Sequence, residues 1–187
     1  NFNITPYLQK GKNTVAAEVY RSSDGSFLEA QDMFRLPGIF RTVALYSVPK
    51  VHFRDLVATP DLDATYTDGS LTVNAEIRNL DKKAIKDYKV YYSLYANKLY
   101  SDENTLVDGF LSPVIDKIAP NETGSVQTVL KVKAPNKWSA EFPYRYTLVA
   151  ELKDKKNRTV EMVSTIVGFR KVEIKDTPAS EDEFGLA

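Results

Sequence analysis

The sequence predicts an all-β chain in two parts, on three observations. From Val51 onward, short runs of alternating apolar and polar residues recur with turn residues between them. No convincing helical periodicity interrupts them. Ahead of Pro49-Lys50, a shorter stretch carries its own alternation, so that dipeptide reads as a boundary. Seven or so short strands across residues 51–174 suit an immunoglobulin-like β-sandwich. Residues 1–50 read as the last strands of another β domain. Residues 175–187, acidic around Glu181-Asp182-Glu183, read as a linker.

In the first part, Asn3 to Leu8 followed by Gly11-Lys12-Asn13 predicts a strand end and a turn. Thr14 to Tyr20 alternates around Val15, Ala17 and Val19, as a half-buried strand does. Ser22 to Ser26 is expected to turn on Asp24-Gly25. Arg41 to Val48 alternates again, with Val43 and Leu45 opposite Ala44 and Tyr46.

In the second part, Phe53 to Thr59 is the first expected strand. The turn at Asp68-Gly69 leads into Ser70 to Arg78, with Leu71, Val73, Ala75 and Ile77 inward. Asp81-Lys82-Lys83 turns the chain into Tyr88 to Ala96, inward at Tyr88, Val90, Tyr92 and Leu94. Thr105 to Lys117 is expected to be extended, with a bend near Ser112-Pro113. Pro120-Asn121-Glu122 turns into Ser125 to Val132. Tyr144 to Leu152 points Tyr146, Leu148, Ala150 and Leu152 to one face. A charged hairpin at Asp154 to Asn157 and a strand from Arg158 to Phe169 complete the sheet.

Of the 187 residues, 43% are hydrophobic, which supports a real core. The 25 basic and 25 acidic side chains cancel, so no charge field points to nucleic acid or an anionic membrane. Cysteine is absent, which excludes disulfides and thiolate metal sites and fits cytoplasm and periplasm alike. No apolar run reaches the length of a membrane-spanning helix. Asn1 is not an initiator Met and begins no signal-peptide pattern, so the chain is expected to be an internal piece of a longer polypeptide.

The least generic segment runs from Glu29 to Arg41. Two acids, two arginines, Gln31 and the large apolar Met33, Phe34, Ile39 and Phe40 crowd around one Pro37-Gly38 turn. The longer run from Ser23 to Arg41 resembles the segment that ends the sugar-binding jelly roll (a galactose-binding-like domain) of glycoside hydrolase family 2 β-galactosidases. The usual form there is close to E-D-Q-D-M-W-R-x-x-G-I-F-R, and Ala30 and Phe34 depart from it. The β-glucuronidases of the same superfamily carry a run nearer D-F-F-x-Y-A-G-I, so Gln31-Asp32-Met33 favours a galactosidase. Asn3 to Asn13 resembles the family phrase D-(I/L)-T-x-Y-L-x-x-G-x-N. Ala134 to Tyr146 resembles its N-P-x-L-W-S-x-E-x-P-x-L-Y signature, with Lys137 and Arg145 where the signature has apolar residues. Val167 to Ile174 resembles the exit strand (V/I)-G-F-R-x-(V/I), which in the family leads into the catalytic β/α barrel. The resemblance covers nearly the whole chain.

Asp32 is the candidate functional residue. Its residue type alone also fits a rim carboxylate paired with Arg35 or Arg41. The resemblance implies that, in the whole enzyme, Asp32 contacts galactose hydroxyls and helps hold a monovalent cation. A carboxylate suits both tasks, because it accepts hydrogen bonds and neutralises Na⁺. Glu29 reads as a structural turn or ion-pair partner.

Trp138 could stack on a sugar, but its place in a Pro-rich link favours plugging the end of the sandwich core. His52 is the only histidine, so a His-rich metal site is excluded, and it reads as a solvated strand residue. Asp61, Asp63 and Asp68-Gly69 miss the spacing of a calcium loop and read as a solvated hairpin. Asn3, Asn121 and Asn157 fit the glycosylation pattern and are equally typical of turns.

The resemblance implies a non-catalytic part of a retaining β-galactosidase acting on terminal β-D-galactosides. Retaining enzymes use two carboxylates about 5–5.5 Å apart. In the family both are glutamates on the barrel, so no catalytic residue is expected in this chain. Mg²⁺ and Na⁺ are implied for the whole enzyme, as are homo-oligomers and docking of the sandwich against the catalytic barrel. The alternatives are a free-standing carbohydrate-binding or adhesive sandwich and a sister activity such as β-glucuronidase.

Overall fold

The computed structural model describes residues 2–29 and 36–174. The chain divides into two units between Tyr46 and Ser47.

The described residues of the first unit contain no strand. Pro6 lies in a 3-10 turn, Thr5–Tyr7, closed by the Tyr7 N–H donating to the Ile4 carbonyl at 2.9 Å. Asn13 fastens the turn at Gly11: its Oδ1 accepts from the Gln9 N–H at 2.9 Å and its Nδ2 donates to the Gln9 carbonyl at 2.8 Å. The expected turn at Asp24-Gly25 is instead a short helix, α1 (Asp24–Leu28). Ser23 and Ser26 explain the difference, because together they form a reciprocal capping box. The strands expected at Thr14 to Tyr20 and Arg41 to Val48 do not form. Alternation makes a strand only where backbone N–H and C=O groups meet a neighbouring ladder, and none pairs with these runs among the described residues. Their apolar side chains are exposed accordingly, Val15 to 77% and Leu45 to 78%.

The second unit has β1 (Val51–Leu62), β2 (Gly69–Asn79), β3 (Lys89–Asn97), β4 (Asn104–Leu111), β5 (Thr123–Val132), β6 (Tyr146–Lys153) and β7 (Thr159–Val167). One sheet is ordered β1-β2-β5 and the other β4-β3-β6-β7, with every pair antiparallel. Hairpins join β1 to β2, β3 to β4 and β6 to β7, while the other connections cross between the sheets. This is the expected immunoglobulin-like sandwich with one distinguishing feature. A constant-type domain pairs its fourth strand beside the fifth, whereas here β4 lies beside β3 on the opposite sheet.

The core follows the two-residue period. Leu71, Val73, Ala75 and Ile77 of β2 are fully buried, as are Val90, Tyr92 and Leu94 of β3 and Leu148, Ala150 and Leu152 of β6. Val126, Leu130 and Val132 complete it from β5. The run expected as one bent strand from Thr105 to Lys117 is split. β4 stops at Leu111, and Ile115 and Ile118 make only isolated bridges to Tyr88 and Ile85. Ser112 makes the break, because its hydroxyl accepts the Val90 N–H at 2.8 Å and donates to the Pro113 carbonyl at 2.7 Å. Tyr88 falls just before β3, since Asp87 takes a left-handed φ of 62°.

Trp138 does not plug the core and is only half-buried. Phe169 does so instead, fully buried and edge-on to Tyr146 at 5.2 Å. Gly69 makes room for it, because a Cβ there would lie 2.8 Å from the Phe169 ring and 2.9 Å from Pro135.

Candidate functional site

Asp32 lies among residues 30–35, outside the described residues, as does Arg35. Their flanks are described. The Glu29 N–H donates to the Gly25 carbonyl at 2.9 Å and closes α1. Gly38 takes a φ of 111°, a conformation open to glycine and strained for other residues, and the chain bends there. Leu36, Ile39, Phe40 and Arg41 are exposed beyond it.

The second unit carries a groove of about 750 Å³ at one end. That size falls within the range of small-molecule sites, roughly 300–1,000 Å³. One wall is the β3–β4 hairpin, presenting Asn97, Tyr100, Asp102 and Asn104; the other is the link before β6, presenting Trp138 and Arg145. Backbone and side chain tie the walls together. The Asn97 N–H donates to the Arg145 carbonyl at 3.0 Å, and the Thr147 hydroxyl donates to Asn97 Oδ1 at 3.0 Å. The hairpin is held by the Lys98 N–H on the Glu103 carbonyl at 2.9 Å and by the Lys98–Glu103 ion pair at 2.7 Å.

Trp138 is fixed where it stands. Its backbone N–H donates to the Phe169 carbonyl at 2.9 Å, and the Arg170 guanidinium lies 4.9 Å from its ring centre. Gly168 allows that approach, since a Cβ there would come within 3.1 Å of the Trp138 Cβ. Sequence reading singled out Trp138 but missed Tyr100, Asp102 and Arg145. The legible signal was Arg145, a cation at an apolar position of the signature.

The remaining candidates are structural. Asp63 organises the β1–β2 hairpin: its carboxylate accepts the Thr67 N–H at 2.8 Å and the Thr65 hydroxyl at 3.0 Å. The Thr67 N–H is the main cause that holds its carboxyl below the usual range. His52 is half-buried, with Nδ1 2.9 Å from the Pro49 carbonyl. A second hollow, about 580 Å³, is lined by Lys86, Tyr88, Lys117, Lys155 and Arg158. Its one acid, Asp154, is committed to the β6–β7 hairpin through the Lys156 and Arg158 N–H groups and the Arg158 guanidinium at 2.6 Å. These bonds, the guanidinium's first, lower the Asp154 carboxyl to about 2. Among the described residues, no three of His, Cys, Asp and Glu stand together so as to hold a metal ion.

The sequence pattern of glycosyl hydrolases family 2 matches residues 51–170. That of the glycosyl hydrolases family 2 sugar binding domain matches residues 1–49. A beta-galactosidase of Priestia megaterium is 42% identical over 175 residues, which is 94% of this chain and 16% of that protein. A beta-galactosidase of Photobacterium profundum is 40% identical over 179 residues, again 94% of this chain and 16% of that protein. The chain therefore spans about 16% of the length of these curated relatives.

Among solved structures, beta-glucuronidase 2 of Bacteroides uniformis superposes with a TM-score of 0.56 at 18% identity, over 66% of this chain and 15% of that one. A beta-glucuronidase of Parabacteroides merdae does so with a TM-score of 0.52 at 23% identity, over 68% of this chain and 15% of that one. At such identities the likeness is one of fold.

Proposed function

Because the chain belongs to glycosyl hydrolase family 2, we propose that it is a non-catalytic portion of a retaining β-galactosidase that hydrolyses terminal β-D-galactosides. The observation that carries the reading is the 42% identity to a curated beta-galactosidase over 94% of the chain. The Gln31-Asp32-Met33 run points the same way. The likeness to β-glucuronidases is of fold only and does not bear on the substrate.

In this reading, residues 1–50 end the sugar-binding domain, residues 51–174 form a sandwich that spaces it from the catalytic barrel, and residues 175–187 lead toward that barrel. Asp32 would accept hydrogen bonds from galactose hydroxyls and give one carboxylate to a monovalent cation. In this reading Mg²⁺ would be held mainly by residues of the barrel. Both catalytic carboxylates would come from outside this chain.

The test is an assay of the longer reading frame that contains this chain, with nitrophenyl β-galactoside and nitrophenyl β-glucuronide side by side. Galactoside cleavage that falls in the Asp32→Asn variant supports the reading and the role of Asp32. Glucuronide cleavage in its place defeats the substrate assignment, and cleavage of neither defeats the enzymatic one.

A further inference from the structure

The geometry points to a second, non-catalytic carbohydrate subsite on the sandwich: the groove between the β3–β4 hairpin and the link before β6, taking a neutral sugar. Three observations carry this.

The first is Tyr100. It stands at the hairpin tip with a left-handed φ of 62° and 89% exposure. A bulky residue is strained in that conformation, and an exposed ring returns little burial in exchange. An aromatic held in solvent at the rim of a groove is what a pyranose face needs for stacking.

The second is a set of polar groups with no internal use. Among the described residues, neither the Arg145 guanidinium nor the Asp102 carboxylate makes a side-chain hydrogen bond or ion pair, yet both line the groove. Asn97 accepts from Thr147 through Oδ1, which leaves its Nδ2 as a donor. Planar amides, a guanidinium and a carboxylate are the groups that pair bidentately with neighbouring hydroxyls.

The third is charge. Among the lining residues Arg145 and Asp102 cancel, and Lys98 is already paired with Glu103 at 2.7 Å, while Arg170 is stacked on Trp138 outside the lining. A balanced site favours a neutral, hydroxyl-rich ligand over a sugar acid or a phosphate. The fixed Trp138 forms the wall behind these groups. Arg145 also replaces an apolar residue of the signature, so the subsite is a feature of this chain.

Trp138 is the single tryptophan, so its fluorescence reports on the groove directly. The experiment titrates the 187-residue chain with lactose, and separately with sodium glucuronate, while monitoring that emission. The expected result is a saturable change with lactose, its midpoint on the order of millimolar, and none with glucuronate. Tyr100→Gly relieves the strained φ and is expected to abolish the response without lowering the melting temperature. Arg145→Leu restores the signature residue and is expected to weaken binding about tenfold. Asp32→Asn is expected to leave the titration unchanged, which separates this subsite from the site proposed around Asp32. No saturable response to lactose, an equal response in Tyr100→Gly, or equal binding of glucuronate would overturn the proposal.

Discussion

The Glu161 carboxylate on β7 accepts the Phe53 N–H of β1 at 2.6 Å, across the gap between the two sheets. The β1–β2 register slips between Phe53 and Asp55, which leaves Arg54 as the extra residue of a bulge beside that contact. β1 is an edge strand, so Glu161 satisfies a half-buried donor that has no strand on that side, and it bonds the edges of the two sheets to each other.

Removing that acceptor leaves the donor without a partner. Glu161→Ala is expected to lower stability by about 1–3 kcal/mol. Glu161→Gln keeps an acceptor oxygen and is expected to lose less than half of that. Urea denaturation of the three chains checks the order. Equal losses for Ala and Gln would mean that charge or packing, and not the Phe53 bond, is what Glu161 supplies.

Gly69 opens β2 directly under Phe169. Gly69→Ala forces a methyl to 2.8 Å from that ring and 2.9 Å from Pro135, and Phe169 is fully buried. The expected cost is about 1–3 kcal/mol from overpacking. Phe169→Leu frees space, so the Gly69→Ala/Phe169→Leu double variant is expected to be less destabilised than the sum of the singles. Strict additivity in thermal denaturation would show that the two sites do not press on each other.

The strands of the sandwich were legible because each buries one face. Leu71-Val73-Ala75-Ile77 and Leu148-Ala150-Leu152 alternate in sequence and pack in register in the fold. The same alternation at Val15 to Val19 and Val43 to Leu45 misled, since periodicity describes a face and not the partner that must hydrogen-bond beside it. Trp138 misled for a related reason. Residue type ranks a tryptophan as the natural plug, but Gly69 and Pro135 shape the cavity for Phe169, and that fit depends on residues far apart in sequence. The groove was legible only at Arg145, because its other wall comes from a hairpin more than 40 residues earlier.

Tyr92 sets a pH dependence. Its ring is fully buried and stacked on Phe110 at 4.9 Å, and its hydroxyl and that of Thr128 are buried with no hydrogen bond closed. Burial pushes the phenol up to about 12, with the Thr128 hydroxyl offsetting a small part. The folded pKa is thus raised above the unfolded value of about 10, so the folded chain keeps a proton that the unfolded chain loses. The stability this carries is complete below about pH 10 and disappears as pH rises through about 12, a change of about 2–3 kcal/mol. Burial raises Tyr88 and Tyr146 in the same direction, so the parent loses stability to all three. Tyr92→Phe is expected to shed the largest share of that loss and, having no hydroxyl to leave unpaired, to match the parent near neutral pH. Urea midpoints near neutral pH and near pH ~11 decide it: the Tyr92→Phe chain losing as much between them as the parent would rule Tyr92 out.

Asn79 ends β2 as a fully buried amide. Its Nδ2 donates to the carbonyls of Lys83, Ile118 and Ala119 at 2.9, 3.1 and 3.2 Å, and its Oδ1 accepts the Asp81 N–H at 2.9 Å. Its backbone adds the N–H on the Glu122 carbonyl at 2.9 Å and the carbonyl under the Asn121 N–H at 2.8 Å. One residue therefore closes the corner where the chain leaves one sheet and the later segment returns to it. Asn79→Ala strands several buried backbone groups at once, and the expected loss is about 3–5 kcal/mol, at the severe end for a single substitution. Asn79→Asp preserves the shape and the Asp81 bond but aims a carboxylate oxygen at three carbonyls, so it is expected to cost no less than Ala near neutral pH. Its pH dependence gives the sharper check. Protonating that Asp restores a donor, so the Asn79→Asp chain is expected to gain stability relative to Asn79→Ala as pH falls through the carboxylate range. Parallel urea curves for the two variants at all pH values would mean that the corner is held by backbone geometry and not by the amide.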